Sequence, residues 1–224
     1  MVNTDLAKPL GWTFLFVIFS SMFGGSFFMS YTQQPMVSES LSLISSNSNL
    51  LMTSIIVDMF TAMGIVTLGA LLYLSLKKVV PVLAFIACLL FVLEAVSMVY
   101  SRFIVYQIMQ LSLEFTQNTS QLGEAFYVTM GGSLIKLATF SYRIHFLFYC
   151  TGMLLFAYSI IRAKLVPVWI PKFGLLVVFV GLLGGIYQLM GNNVPLFLFL
   201  PILPYELVIG SYLVIKGFSN SDTN

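Results

Sequence analysis

Six stretches of this chain, 10–31, 51–76, 80–103, 142–162, 172–191 and 195–216, are each about 20 residues or longer and nearly free of charge. The hydrocarbon core of a bilayer is about 30 Å thick and a helix rises about 1.5 Å per residue, so about 20 apolar residues cross it. Backbone amides inside the bilayer must bond within the chain, which makes helices the spanning form for runs of this length. The surface agrees: 59% of the 224 residues are hydrophobic and 8% charged, whereas a soluble domain carries about 25% charged residues. The expected fold is all-α, an integral membrane bundle of six transmembrane helices in a single membrane domain over 1–224. The first stretch reads as a retained span, since it is longer than a signal h-region and follows a nearly neutral start, MVNTDLAK.

Lysine and arginine set the expected orientation, because cytoplasmic ends hold an excess of both. With six spans and the N-terminus inside, the cytoplasmic ends carry Lys8, Lys77, Lys78, Arg162, Lys164, Lys172 and Lys216, and the other side carries Arg102, Lys136 and Arg143. Both termini are thus expected to be cytoplasmic, in the cell membrane. Residues 127–141 are set apart as a short interfacial or re-entrant helix before the fourth span, because they carry Gly131, Gly132 and Lys136. A seventh span there would put Arg162, Lys164 and Lys172 outside. The Ser/Asn-rich segment 32–50 reads as a flexible loop. Residues 104–113 continue the third helix and 114–125 turn, with Asn118-Thr119-Ser120 matching a glycosylation sequon.

Several functions are disfavoured. A net charge of +2 with scattered bases does not suit nucleic acid. Cys88 and Cys150 lie in apolar segments and read as small buried hydrophobes rather than a disulfide. One histidine and two cysteines do not make a multi-histidine zinc site or a bis-histidine haem site. The sequence holds no GxSxG elbow and no HExxH. Neither a cofactor nor a metal is expected, and an enzyme is the least favoured class.

What stands out is charge within the spans. An ionised side chain at the bilayer centre costs about 2.5–3.5 kcal/mol on insertion scales, so such residues face the bundle interior and seek partners. Counted along their helices, Asp58, Glu94 and Glu206 lie from mid-bilayer into the outer half, with Arg102, Arg143 and His145 just above. Glu94, Ser97, Ser101 and Arg102 share one helix face, as do Tyr142, His145 and Tyr149. Pro201 and Pro204 precede Glu206 and are expected to kink or unwind the outer half of the last helix. Arg143 is the first expected partner of Glu206, and Arg102 the second. Two readings stand side by side. In one, these residues line a polar pocket that binds or transports a small solute, a proton or a lipid-like ligand. In the other, they are only ion pairs within a structural or accessory subunit. Besides the bilayer, a homo-oligomer contact through Gly181 and Gly185 is a minority alternative to intramolecular packing.

Three segments carry a resemblance. The closing stretch ELVIGSYLVIKGF (206–218), the turn KLVPVWIPKFGLL (164–176) and LEAVSMVYSR (93–102) resemble an uncharacterised prokaryotic membrane-protein family, domain of unknown function 4386. The resemblance runs from about residue 10 to 218 and implies fold and location, with no reaction. One departure is that the acidic residue of the third helix usually follows an arginine, whereas Leu93 precedes Glu94 here.

Overall fold

A computed structural model describes residues 4–117 and 123–219 of the chain. The helices are α1 (Ala7–Thr32), α2 (Val37–Ser46), α3 (Ser48–Leu76), α4 (Pro81–Gln117), α5 (Glu124–Ala163), α6 (Trp169–Leu189) and α7 (Ile202–Ile215), and a 3-10 turn, Leu196–Leu198, precedes α7. The described residues contain no strand. Six segments are long and apolar enough to cross a membrane: α1, α3, α4, α5, α6 and the stretch Leu196–Ile215. These are the six expected spans, and the chain is a multi-pass helical membrane protein.

The chain divides into two compact units, one built from Met1–Ile18, Met63–Val96 and Arg143–Asn224, the other from Phe19–Ala62 and Ser97–Tyr142. In the first unit small residues let helices approach closely. A Cβ on Gly11 would stand 2.7 Å from the Gly210 carbonyl and 2.8 Å from the Val214 nitrogen, so α1 and α7 touch backbone to backbone. Phe14 packs on Phe156 with ring centroids 5.5 Å apart. Gly181 receives Ile202 and Phe146, and Gly185 receives Phe146, so both glycines face neighbours within their own chain.

The second unit corrects three expectations. Residues 37–46 are helix rather than flexible loop: Val37, Leu41 and Ile44 recur at i, i+4, i+7, and Leu41 and Ile44 are wholly buried. The serines that suggest a loop bond back to their own helix, Ser42 Oγ to the Ser38 carbonyl at 2.9 Å and Ser46 Oγ to the Leu43 carbonyl at 3.0 Å. Residues 127–141 are not a separate short helix but part of α5, which runs 40 residues without a break. Gly131 and Gly132 serve as contacts there rather than breakers, since a Cβ on either would meet Leu41 or Val37 of α2 at 3.0 and 3.4 Å. Helix α4 reaches Gln117, so 104–113 does continue it, but 114–117 are helical instead of turning. The sequon Asn118-Thr119-Ser120 lies outside the described residues.

At 37 and 40 residues, α4 and α5 are about 55 and 60 Å long, well beyond the hydrocarbon thickness. Residues 97–117 of α4 and 124–142 of α5 belong to the second unit, whose core joins Phe28, Leu41, Ile44, Leu51, Ile108 and Tyr127.

Candidate functional site

The six singled-out residues divide between the units: Asp58 and Arg102 belong to the second, and Glu94, Arg143, His145 and Glu206 to the first.

In the second unit Asp58 of α3 and Arg102 of α4 form an ion pair, Arg102 Nε to Asp58 Oδ2 at 2.7 Å, with side chains 6% and 0% exposed. The N–H does not point at the carboxylate, so the contact is coulombic rather than a directional hydrogen bond. Gly24 of α1 makes room for it, because a Cβ there would overlap the Asp58 carboxylate. Lys136 is exposed on α5.

In the first unit Glu94 of α4 is buried at 3% exposure, and its Oε2 has no hydrogen-bond partner among the described residues. Glu206, one turn into α7, is partly buried and accepts a hydrogen bond from the Tyr149 hydroxyl of α5, 2.7 Å to Oε1. Glu94, Tyr149, Cys150 and Glu206 all belong to this unit, and Cys150, next to Tyr149 on α5, is wholly buried. His145, one turn from Tyr149 on α5, brings Nδ1 to 3.4 Å from the Glu94 backbone carbonyl. Beside Glu206, Tyr205 is fully buried, its hydroxyl without a hydrogen-bond partner among the described residues and its ring against Gly174 of α6.

The partners expected for Glu206 are corrected. Arg143 Nη1 donates to the Gln188 carbonyl at 2.7 Å, adding a second donor to an acceptor in the last turn of α6 that the Gly191 N–H also reaches. Arg102 is engaged by Asp58. A phenol takes the place of a guanidinium at Glu206. Tyr149 shares a helix face with His145 in the sequence, but a phenol carries no charge by which the sequence would mark it as the partner of a carboxylate.

The local backbone before Glu206 follows from glycine and proline. Helix α6 ends with Gly191 at φ 88°, its N–H bonded to the Gln188 carbonyl and that of Asn192 to the Tyr187 carbonyl. The chain then crosses 3-10 and turn geometry to Pro201, which caps α7. The expected unwinding is present over 196–201, at the start of the last span. Pro204 does not kink α7, because it sits in the first turn, where its missing N–H has no acceptor to lose.

A family model described as a domain of unknown function (DUF4386) matches residues 10–217. No curated protein and no solved structure matches the chain.

Proposed function

This chain is a multi-pass helical membrane protein that belongs to the DUF4386 family, and on that premise we propose that Glu94, Tyr149 and Glu206 form an intramembrane site for a small positive charge, a proton or a cationic solute. The observation that carries the reading is that one face of α5 meets both acid-bearing helices: Tyr149 bonds the Glu206 carboxyl at 2.7 Å and His145, one turn away, lies 3.4 Å from the Glu94 backbone carbonyl, while the buried Glu94 Oε2 has no hydrogen-bond partner among the described residues and Arg143 bonds a backbone carbonyl. Two carboxylates held in one low-dielectric interior are too costly to remain ionised together without a counter-charge. That charge arrives as a proton, on a carboxyl or on His145, or with a visiting cation. Tyr149 holds Glu206 in place while it waits. The site binds or passes its ligand and carries out no bond chemistry. In the orientation we propose, the termini and the seven bases from Lys8 to Lys216 are cytoplasmic, in the cell membrane.

The Asp58–Arg102 pair favours a different role for its half of the set. It is charge-balanced, buried on both sides and seated against Gly24, which supports a bundle-locking contact rather than a ligand site.

The test is flux into liposomes loaded with a pH-sensitive dye, under an imposed pH gradient, with and without sodium. Glu94→Gln and Glu206→Gln are each expected to lower the flux at least about tenfold, and Tyr149→Phe to lower it less. Unchanged flux in both glutamine variants, with wild-type folding, refutes the reading.

A further inference from the structure

Helix α5 ends in an unusual way. Lys164, directly after its last residue, has φ 52°, the left-handed conformation that glycine adopts freely and other residues do not. The Lys164 N–H bonds the Ile161 carbonyl at 3.2 Å and the Leu165 N–H bonds the Ile160 carbonyl at 3.4 Å. This is the helix-ending motif in which glycine is the usual occupant. A side chain held where glycine would be relaxed calls for a reason outside the fold of the turn.

Its surroundings supply one. The Ser219 N–H bonds the Leu165 carbonyl at 2.7 Å, bringing the end of α7 to this turn. A Cβ on Gly217 would meet the Ala7 Cβ at 3.9 Å, bringing the start of α1 there as well. Four helix ends thus deliver Lys8, Arg162, Lys164, Lys172 and Lys216, and all five are exposed. The segments 158–173 and 207–219 contain no acid, and the nearest in sequence to Lys8 is Asp5. Trp12, 61% exposed, lies four residues from Lys8, and Trp169, 62% exposed, three from Lys172. Both spacings put the indole on the same helix face as its lysine, the pairing of amphipathic ring and cation that suits the headgroup level of a bilayer.

We propose that Lys8, Arg162, Lys164, Lys172 and Lys216 form a binding site for the phosphate of an anionic lipid headgroup, flanked by Trp12 and Trp169. This stands apart from the acidic site and does not depend on it. Headgroup phosphate fits because the exposed groups are cations and, Asp5 near Lys8 apart, the segments 158–173 and 207–219 that carry the others contain no acid, and because the indoles beside them fix the depth at which the lipid must lie. Lys164 adds a charge to the group, and the left-handed backbone is tolerated for that charge.

The experiment is native mass spectrometry of the full-length protein in detergent with an equimolar mixture of phosphatidylglycerol and phosphatidylcholine. The wild type is expected to retain phosphatidylglycerol in preference. Lys164→Gly is expected to unfold no earlier than the wild type on heating, yet to lower that retention about fivefold, the factor for one charge near an anionic surface. Arg162→Gln/Lys164→Gln/Lys172→Gln should abolish the preference. If that triple variant does not fold, Lys164→Gly decides alone. Lys78→Gln, on an exposed base of the turn between α3 and α4, should change nothing. Equal retention of the two lipids overturns the proposal. So does a Lys164→Gly variant that still prefers phosphatidylglycerol, a Lys78→Gln variant that loses as much, or displacement of the lipid by an equimolar amount of inorganic phosphate.

Discussion

Replacing Arg102 with leucine removes the cation from a buried ion pair and leaves Asp58 where water does not reach it. With 2.7 Å between Nε and Oδ2, the gross attraction is about 6 kcal/mol at an effective dielectric constant of about 20. Desolvation of two ions, at several kcal/mol each, offsets most of that, so the intact pair is near break-even. Losing one partner is different, because the other keeps its desolvation cost with nothing in return, typically about 3–5 kcal/mol. The misaligned N–H puts the expected loss for Arg102→Leu at the lower end, about 3 kcal/mol. Asp58→Asn, which strands the arginine, should cost a similar amount. Because each single change is harmful through the group it strands, the double variant Asp58→Asn/Arg102→Leu should recover to within about 2 kcal/mol of wild type, far from the additive sum. Unfolding in detergent, followed by helical circular dichroism during titration with a denaturing detergent, measures all three. A loss below about 1 kcal/mol for Arg102→Leu, or strict additivity in the double variant, means that the two charges are solvated and uncoupled, and the reasoning fails.

Two further outcomes follow from single side chains. Tyr205→Phe should stabilise the protein by about 1 kcal/mol, because it deletes a buried hydroxyl that has no partner and keeps the ring; a loss above about 1 kcal/mol in thermal unfolding would show that the hydroxyl is bonded. Gly24→Ala should cost about 1–3 kcal/mol, since the new methyl occupies the space of the Asp58 carboxylate. The same change should be almost free in an Asp58→Ala background, and an equal cost in both backgrounds contradicts the seating of Asp58 on Gly24.

The six spans are legible because length and apolarity decide them directly: about 20 residues that cannot be solvated have one place to go. Depth is legible for the same reason, by counting along each helix, and it marks Asp58, Glu94 and Glu206 as interior. Which helices are neighbours is not legible, because depth is one coordinate and pairing needs the rotation of each helix about its axis. Arg143 and Arg102 both lie at a depth that suits Glu206, yet one bonds the Gln188 carbonyl and the other Asp58. The misread segments have a related cause. Gly131 and Gly132 look like a break until Leu41 and Val37 are brought against them, and a serine-rich segment looks like a loop until its three apolar residues find a core. In both cases a long-range contact overrides a local propensity. The signal for α2 was present, however, in the i, i+4, i+7 spacing of Val37, Leu41 and Ile44.

The break before Glu206 has a consequence of its own. Helix α7 has 14 residues, about 21 Å of rise, which is short of the roughly 30 Å hydrocarbon. The remainder of the span is the 3-10 and turn segment from Leu196 onward, so irregular backbone lies at membrane depth. That arrangement is tolerated where its polar groups are satisfied or shielded by protein. Here the Phe199 N–H bonds the Leu196 carbonyl at 3.0 Å and the Ile202 N–H bonds the Phe199 carbonyl at 3.1 Å. Phe199 turns inward onto Phe146 of α5, ring centroids 5.3 Å apart, while Leu196, Phe197 and Leu200 remain exposed as an apolar outer face. The segment is therefore pinned by one inward ring and a few short-range bonds, not by a continuous helical ladder. Glu206 sits one turn into the regular helix that follows. A carboxyl at that position is held firmly on one side by α7 and loosely on the other, which is where the charge site we propose would open at least cost.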